Sequence, residues 1–197
     1  MKRTVLVFLC LLVMGIGANS NSLGQTLSDV RYTSQATPVH GYSADVTIKM
    51  IDDESVSVTV GESRYTCFND KPGDDRFSVQ CHPDTLVPYL TELASFPAGT
   101  DRAIRDSVLT ARYESGLLDL PSGAISGFIS GPVNPLTGTP DSVRVWSEIA
   151  IPFATAVTTG LTTANAGEQP WLMSEGRIGA HIMIDYRRVA WADLFGN

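Results

Sequence analysis

The stretch "RYTCFNDKPGDDRFSVQCHPD", residues 64–84, carries the clearest folding signals of the chain. Two runs with aromatic and β-branched residues flank "NDKPGDD", in which a Pro-Gly pair and several aspartates favour a turn. The pattern predicts two antiparallel strands that bring Cys67 and Cys81 together across a hairpin or a looser loop.

Further strand patterns lie on both sides of this segment. "SADVTIKMI" (43–51) and "ESVSVTV" (54–60) alternate apolar and polar residues, which is typical of half-buried strands. "AISGFISG" (124–131) and "SVRVWSEIAIPF" (142–153) follow after a gap. Strands are therefore expected both before and after the middle of the chain.

Two helices are predicted in that gap. Asp84 can cap the first, and Thr100 can cap the second, which ends at Gly116. The predicted buried face of the second helix carries Ile104, Val108 and Ala111. Two pairs of opposite charges are spaced four residues apart on this helix, Asp101 with Arg105 and Arg102 with Asp106. Such pairs are typical of a solvated helix face. The order of elements predicts an α+β domain with a mainly antiparallel sheet, two helices and one disulfide.

The N-terminus has the layout of a secretory signal peptide. Lys2 and Arg3 precede an apolar run, and small residues follow it. We expect a signal peptide at 1–18, a mobile polar segment at 19–40 and a single α+β domain at 41–197. The apolar run is too short to cross a bilayer, and no later stretch comes closer, so we predict a periplasmic or extracellular protein without a transmembrane segment after cleavage.

The predicted export indicates how the cysteines are used. Of the three in the chain, Cys67 and Cys81 remain after cleavage, and an even pair in an exported protein predicts a disulfide. The alternative, a thiol metal or redox site, favours closer spacing such as C-x-x-C.

The charge of the chain narrows the choice of partners. The formal net charge is −7, and loss of Lys2 and Arg3 with the signal peptide makes it two units more negative. An acidic surface repels phosphate backbones and anionic headgroups, so nucleic-acid and membrane-surface partners are not expected.

No common catalytic motif is present, and no catalytic residue is assigned. The sequence lacks G-x-S-x-G, H-E-x-x-H, the P-loop pattern and C-x-x-C. The histidines are His40, His82 and His181. His82 stands at the start of a predicted helix, where the dipole favours a neutral ring, and we expect a structural or surface role for it.

One segment suggests a soft-metal site. In "QPWLMSEGRIGAHIMID" (169–185), two short apolar runs flank a glycine-containing loop. If they pair with Met173 opposite His181, Trp171 falls opposite Met183 and all four share one face. Two thioethers and an imidazole suit Cu(I) or Ag(I), and an indole can cover such a cation. A slip of one residue would separate the four, and the same residue types also build an ordinary buried strand.

The chain resembles a group of exported bacterial proteins known only as hypothetical proteins. The resemblance rests on a T-C-x-x-D turn with a second cysteine after it, on "IPFATAVTTGL", on "PWLM" and on "HIMI", in that order. It covers approximately residues 65–184. The resemblance implies export, one domain and the pairing of Cys67 with Cys81, and it brings no activity and no catalytic residues.

The leading functional hypothesis is an exported, non-enzymatic domain that binds an unidentified small molecule or envelope partner, or has a structural role in the envelope. The first alternative is a periplasmic Cu(I) or Ag(I) binding protein that uses Trp171, Met173, His181 and Met183. The second is an envelope hydrolase. No cofactor is predicted other than Cu(I) in the first alternative.

Overall fold

An eight-stranded antiparallel sheet organises the protein. The computed structural model describes residues 46–50, 55–60, 62–68, 70, 74–165, 167 and 169–195. The predicted signal peptide and the predicted mobile segment lie outside these residues. The strands are β1 (Val46–Met50), β2 (Ser55–Val60), β3 (Ser63–Phe68), β4 (Arg76–Pro83), β5 (Ile125–Pro132), β6 (Ser142–Ala150), β7 (Trp171–Met173) and β8 (His181–Ala190). Their order in the sheet is β1-β2-β3-β4-β5-β6-β8-β7, and every neighbouring pair is antiparallel.

Four helices accompany the sheet in the described part of the chain. They are α1 (Val87–Ala94), which follows a 3-10 turn at Asp84–Leu86, α2 (Arg102–Glu114), α3 (Ala156–Thr159) and α4 (Trp191–Phe195). The longer two, α1 and α2, connect β4 to β5. The predicted α+β class with a mainly antiparallel sheet and two main helices is confirmed. None of the helices among the described residues is long and apolar enough to span a membrane.

The hairpin of β3 and β4 is closed by the predicted disulfide. Cys67 and Cys81 lie directly opposite each other in the register, with Cα atoms 4.0 Å apart and a bond between their sulfur atoms. Both side chains are fully buried. The pairing of the two cysteines in residues 64–84 is therefore confirmed.

The two faces of the sheet bury separate apolar clusters. On one face, the disulfide packs with Val79, Ile129 and Val143, and α4 packs against this cluster through Trp191 and Leu194. The second cluster includes Leu86, Leu109, Leu118, Leu120 and Ile178, with partly buried residues of α1 packed against it. We call the face of β5 and β6 that carries Ser126 and Glu148 the helical face, because α1 and α2 lie over it at this end of the strands.

Helix α2 buries a different stripe from the one predicted. Ile104 is 58% exposed and Val108 is 41% exposed, whereas Leu109 is fully buried. The helix is rotated so that Arg105 and Leu109, four residues apart, both face the protein, and Arg105 lines a cavity. Its cap also differs, because Asp101 rather than Thr100 accepts a hydrogen bond from the Ala103 backbone N–H. The predicted apolar face was wrong because part of the inward stripe is charged.

Candidate functional site

A cavity lies between the helical face of the sheet and the helices α1 and α2. Its volume is about 290 Å³. One wall is apolar and is formed by Leu86, Leu90, Leu93, Leu120 and Ile178. The sheet contributes polar side chains, and α1 and α2 contribute a tyrosine and three charged residues. A mostly apolar pocket with a few convergent polar groups is the usual form of a small-molecule site.

The strand register aligns the polar residues of the sheet. Ser126 on β5 lies opposite Glu148 on β6, and Glu148 lies opposite Met183 on β8. The register of β4 with β5 ends at Cys81 opposite Gly127, and the next residue of β4, His82, contacts Ser126. Residues that are distant in sequence therefore form one continuous row beneath the helices.

His82 and Ser126 form a buried hydrogen-bonded pair. His82 Nδ1 and Ser126 Oγ are 2.9 Å apart, and both residues are buried. The rings of Phe68 and Phe128 lie beside the imidazole. Burial lowers the pKa of His82 from 6.5 to about 4, so the ring is neutral at pH 7.

This pair is a weak candidate for nucleophilic catalysis. An effective general base has a pKa near the working pH, whereas the pKa of His82 is about 4. No carboxylate of the described residues forms an ion pair or a hydrogen bond with His82. The geometry is that of a satisfied polar pair in the floor of the pocket, and it adds little support to the hydrolase hypothesis.

Glu148 and His181 form the second polar group of the sheet. His181 Nδ1 donates to the backbone carbonyl of Gly179 at 2.9 Å. In the neutral ring this leaves Nε2 as an acceptor, and Nε2 lies 3.9 Å from Glu148 Oε2. The other carboxylate oxygen, Oε1, accepts from Trp146 Nε1 at 3.1 Å. Nε2 and Oε2 therefore face each other in the wall of the pocket, as two acceptors when the ring is neutral and as an ion pair when it is protonated.

The single acidic residue that α2 contributes to the pocket is paired with two cations. Asp106 Oδ2 lies 4.0 Å from Arg102 Nε and accepts a hydrogen bond from Arg177 Nη1 at 2.9 Å. Arg177 comes from the loop between β7 and β8. The negative charge of Asp106 is therefore balanced by arginines of the protein itself.

Arg105 is the uncompensated cation of the pocket. Its Nε is buried without a hydrogen-bond partner, and its guanidinium makes no ion pair with the described residues. On the same helix, Arg112 Nε is also buried without a hydrogen bond, but it lies 3.3 Å from Glu92 Oε1, so that arginine has an ion-pair partner. The predicted solvated face for the α2 charges was wrong for Arg105 and Asp106, which are half-buried.

Tyr89 lies between the arginine side and the histidine side of the pocket. Its pKa is raised, first by burial and then by the charge of Asp106, whereas Arg102 and Arg105 oppose the increase. A Cβ atom added to Gly179 would lie 3.0 Å from the Tyr89 hydroxyl. The hydroxyl is therefore near both the cationic side of the pocket and the loop that holds His181.

The residues of the proposed soft-metal site pair in the register that the hypothesis requires. Trp171 lies opposite Met183, and Met173 lies opposite His181, so the four side chains share one face of the hairpin. Their accessibility differs: Trp171 and Met183 are 5% exposed, whereas Met173 is 40% exposed. Among the described residues, no group of three or more His, Cys, Asp or Glu side chains is placed to hold a metal ion.

Sequence reasoning missed most of the pocket. Ser126 and Glu148 stand in strands as ordinary alternating residues, and only the register shows that they lie next to each other. Arg105 and Tyr89 are on separate helices. The only available signal was that charged residues share one side of α2, which is also the pattern of a solvent-exposed helix face.

Comparison of the chain with protein-family models, with curated proteins and with solved structures finds no match. The functional reading therefore rests on the geometry of the pocket.

Proposed function

We propose that the protein is a binding domain for a small molecule with an apolar body and an anionic group, and that this molecule occupies the pocket between the helical face and the helices α1 and α2. The observation that carries the proposal is the half-buried guanidinium of Arg105, which has no anionic partner. A buried cation without a partner destabilises a fold, whereas a carboxylate offers a guanidinium two parallel hydrogen bonds.

The size and lining of the pocket define the ligand further. A cavity of about 290 Å³ is at the lower end of the range for small-molecule sites. The leucine wall favours an aliphatic body. Of the two carboxylates in the lining, Asp106 is paired with arginines and Glu148 is on the sheet side, so we expect the anionic group at Arg105 and away from Glu148. A short-chain or branched carboxylate satisfies these requirements.

The Glu148 and His181 pair accepts a second polar group of the ligand. With a neutral ring, an ammonium group between Nε2 and Oε2 can donate to both atoms, whereas a hydroxyl donates to one of them. We therefore expect hydroxy or amino derivatives of a suitable carboxylate to bind more tightly than the parent acid.

The proposal is tested by calorimetric titration of the purified protein with carboxylates from butanoate to decanoate, together with their amino and hydroxy derivatives. Arg105→Gln should lower the affinity for the best of these about 10- to 150-fold, because one charge-assisted contact contributes about 1.5–3 kcal/mol. Arg112→Gln is the matched control, since Arg112 is on the same helix and lies beside Glu92. Equal affinities of the two variants would overturn the assignment.

Export is part of the same proposal. The Cys67–Cys81 disulfide supports an oxidising compartment, and the resemblance to exported bacterial proteins agrees with it. Fractionation of cells that express the full chain, with mass spectrometry of the mature N-terminus, tests export. A full-length N-terminus in the cytoplasmic fraction would contradict it.

A soft-metal carrier is the second candidate function, and the register of β7 and β8 favours it. The two side chains in position to bind an incoming ion are Met173, which is exposed, and His181, whose Nδ1 bond to a carbonyl leaves Nε2 available. Titration with Ag(I) tests the idea. A Met173→Leu, His181→Gln double variant should lose the ion, and retention by that variant would remove this candidate.

A further inference from the structure

The pocket between the helical face and the helices α1 and α2 contains one unbalanced charge of each sign. Two arginines and two carboxylates line it, namely Arg102, Arg105, Asp106 and Glu148. Asp106 is balanced by Arg102 and Arg177, whereas Arg105 has no anionic partner among the described residues. In the same part of the chain, no lysine or arginine forms an ion pair with Glu148. The pocket therefore lacks a negative group at Arg105 and a positive group at Glu148.

The carboxylate of Glu148 has a defined orientation in the wall of the pocket. Its Oε1 accepts a hydrogen bond from Trp146 Nε1 at 3.1 Å, and its Oε2 lies 3.9 Å from His181 Nε2. The side chain of Glu148 is 27% exposed, so it is only partly hydrated. A partly buried carboxylate without a cation is destabilising, and an ammonium group bound at Oε2 would offset this cost.

The sheet side of the pocket offers three hydrogen-bond acceptors close together. Two are Glu148 Oε2 and, in the neutral ring, His181 Nε2. The third is Oγ of Ser126, which lies directly opposite Glu148 in the register and also lines the pocket. Ser126 can donate its hydroxyl proton to His82 Nδ1, 2.9 Å away, and keep its lone pairs for a ligand. A primary ammonium group has three N–H donors, which match these three acceptors.

We infer that the ligand of this pocket is a zwitterion, an aliphatic amino acid whose carboxylate contacts Arg105 and whose primary ammonium group is bound by the three acceptors of the sheet. This inference rests on the proposed function, from which it takes the pocket and the contact at Arg105. A plain carboxylate satisfies Arg105 and leaves Glu148 without a cation. A hydroxy acid supplies one donor where the sheet has three acceptors, and it brings no positive charge.

Calorimetric titration of the full protein with matched ligands tests the inference. The ligands are hexanoate, norleucine, ε-aminohexanoate and the N-trimethyl derivative of the tighter of the two amino acids. We expect that amino acid to bind about tenfold or more tighter than hexanoate, because it adds a charge-assisted contact. Trimethylation keeps the positive charge but removes every N–H donor, so it should abolish the gain. The preference between norleucine and ε-aminohexanoate identifies the spacing of the two charges in the ligand.

Glu148→Gln separates the ammonium site from the carboxylate site. It should weaken binding of the amino acid about tenfold or more and should not weaken binding of hexanoate, whereas Arg105→Gln should weaken binding of both. Glu114→Gln is the matched control, because Glu114 is exposed on α2, carries the same charge and does not line the pocket. It should leave both affinities unchanged.

The possible failures distinguish this inference from the proposed function. Binding of hexanoate that depends on Arg105, with no gain from the amino group, would overturn the inference and leave the proposed function intact. Equal affinity for the trimethylated ligand, or an equal loss in Glu114→Gln, would also overturn it, because either result indicates attraction to diffuse charge. If no ligand binds in a way that depends on Arg105, the proposed function is wrong, and the inference fails with it.

Discussion

Replacement of Arg105 by Met should stabilise the ligand-free protein and abolish carboxylate binding. Met retains an unbranched apolar stem that can occupy the space of the arginine side chain. The substitution removes a buried Nε without a partner. An unsatisfied buried polar atom costs about 1–3 kcal/mol, and some of the guanidinium remains hydrated, so we expect a gain of about 1 kcal/mol in the free energy of unfolding. For a domain of this size, this corresponds to an increase of about 2–4 °C in Tm.

Urea unfolding followed by circular dichroism, in a buffer without carboxylates, measures this gain. The slope of the transition should not change, because the substitution does not alter the surface exposed on unfolding. Arg112→Met on the same helix is the control. It also removes a buried Nε without a hydrogen bond, but it breaks the ion pair with Glu92, so it should give a smaller gain than Arg105→Met or none. A loss of stability in Arg105→Met would refute the reasoning, because Arg105 would then support the fold and its lack of a partner would not indicate a ligand.

Three further predictions concern the pH dependence, the disulfide and the shape of the pocket. His82 binds a proton with a pKa of about 4 in the folded protein and about 6.5 in the unfolded chain, so the free energy of unfolding should fall by about 3 kcal/mol as the pH decreases from 6.5 to below 4. His82→Gln should flatten this part of a urea-unfolding pH profile, and an unchanged profile would contradict the assignment. Reduction of the Cys67–Cys81 bond should lower stability by about 3 kcal/mol for a closed loop of this length, measured by urea unfolding with and without reductant, and an unchanged midpoint would argue against it. Gly179→Ala places a methyl group 3.0 Å from the Tyr89 hydroxyl and should weaken carboxylate binding by about 1 kcal/mol in the same calorimetric assay, whereas unchanged affinity would place the ligand away from this end of the pocket.

The sheet was predictable where the sequence signals are local. The Pro-Gly turn, the alternation on both sides of it and the two cysteines together define the hairpin of β3 and β4. The sequence predicted the pairing of β7 with β8 but allowed more than one register. The seven-residue segment between the two strands is longer than the usual hairpin loop, so it does not determine which residues lie opposite each other. The register that occurs places Met173 opposite His181.

The pocket was not predictable because it depends on contacts between distant parts of the chain. The hydrogen bond between His82 and Ser126 joins residues separated by 44 positions, and two helices lie between them in sequence. For α2, hydrophobic periodicity indicated the wrong face, since a helix that lines a polar cavity turns charged residues inward. A rule that assigns every charged side chain to solvent therefore gave the wrong face for α2.

The pocket residue that departs most clearly from the usual placement of charge is Arg105. It is half-buried, its Nε has no hydrogen-bond partner, and it makes no ion pair with the described residues. This arrangement does not increase the stability of the ligand-free fold, and an acidic chain has ample carboxylates that could have compensated it. Proteins depart from optimal local chemistry mainly at functional sites, where a ligand supplies the missing interaction. The titrations and the unfolding experiments test this inference independently, because a ligand role predicts both weaker carboxylate binding and a more stable ligand-free protein when Arg105 is replaced.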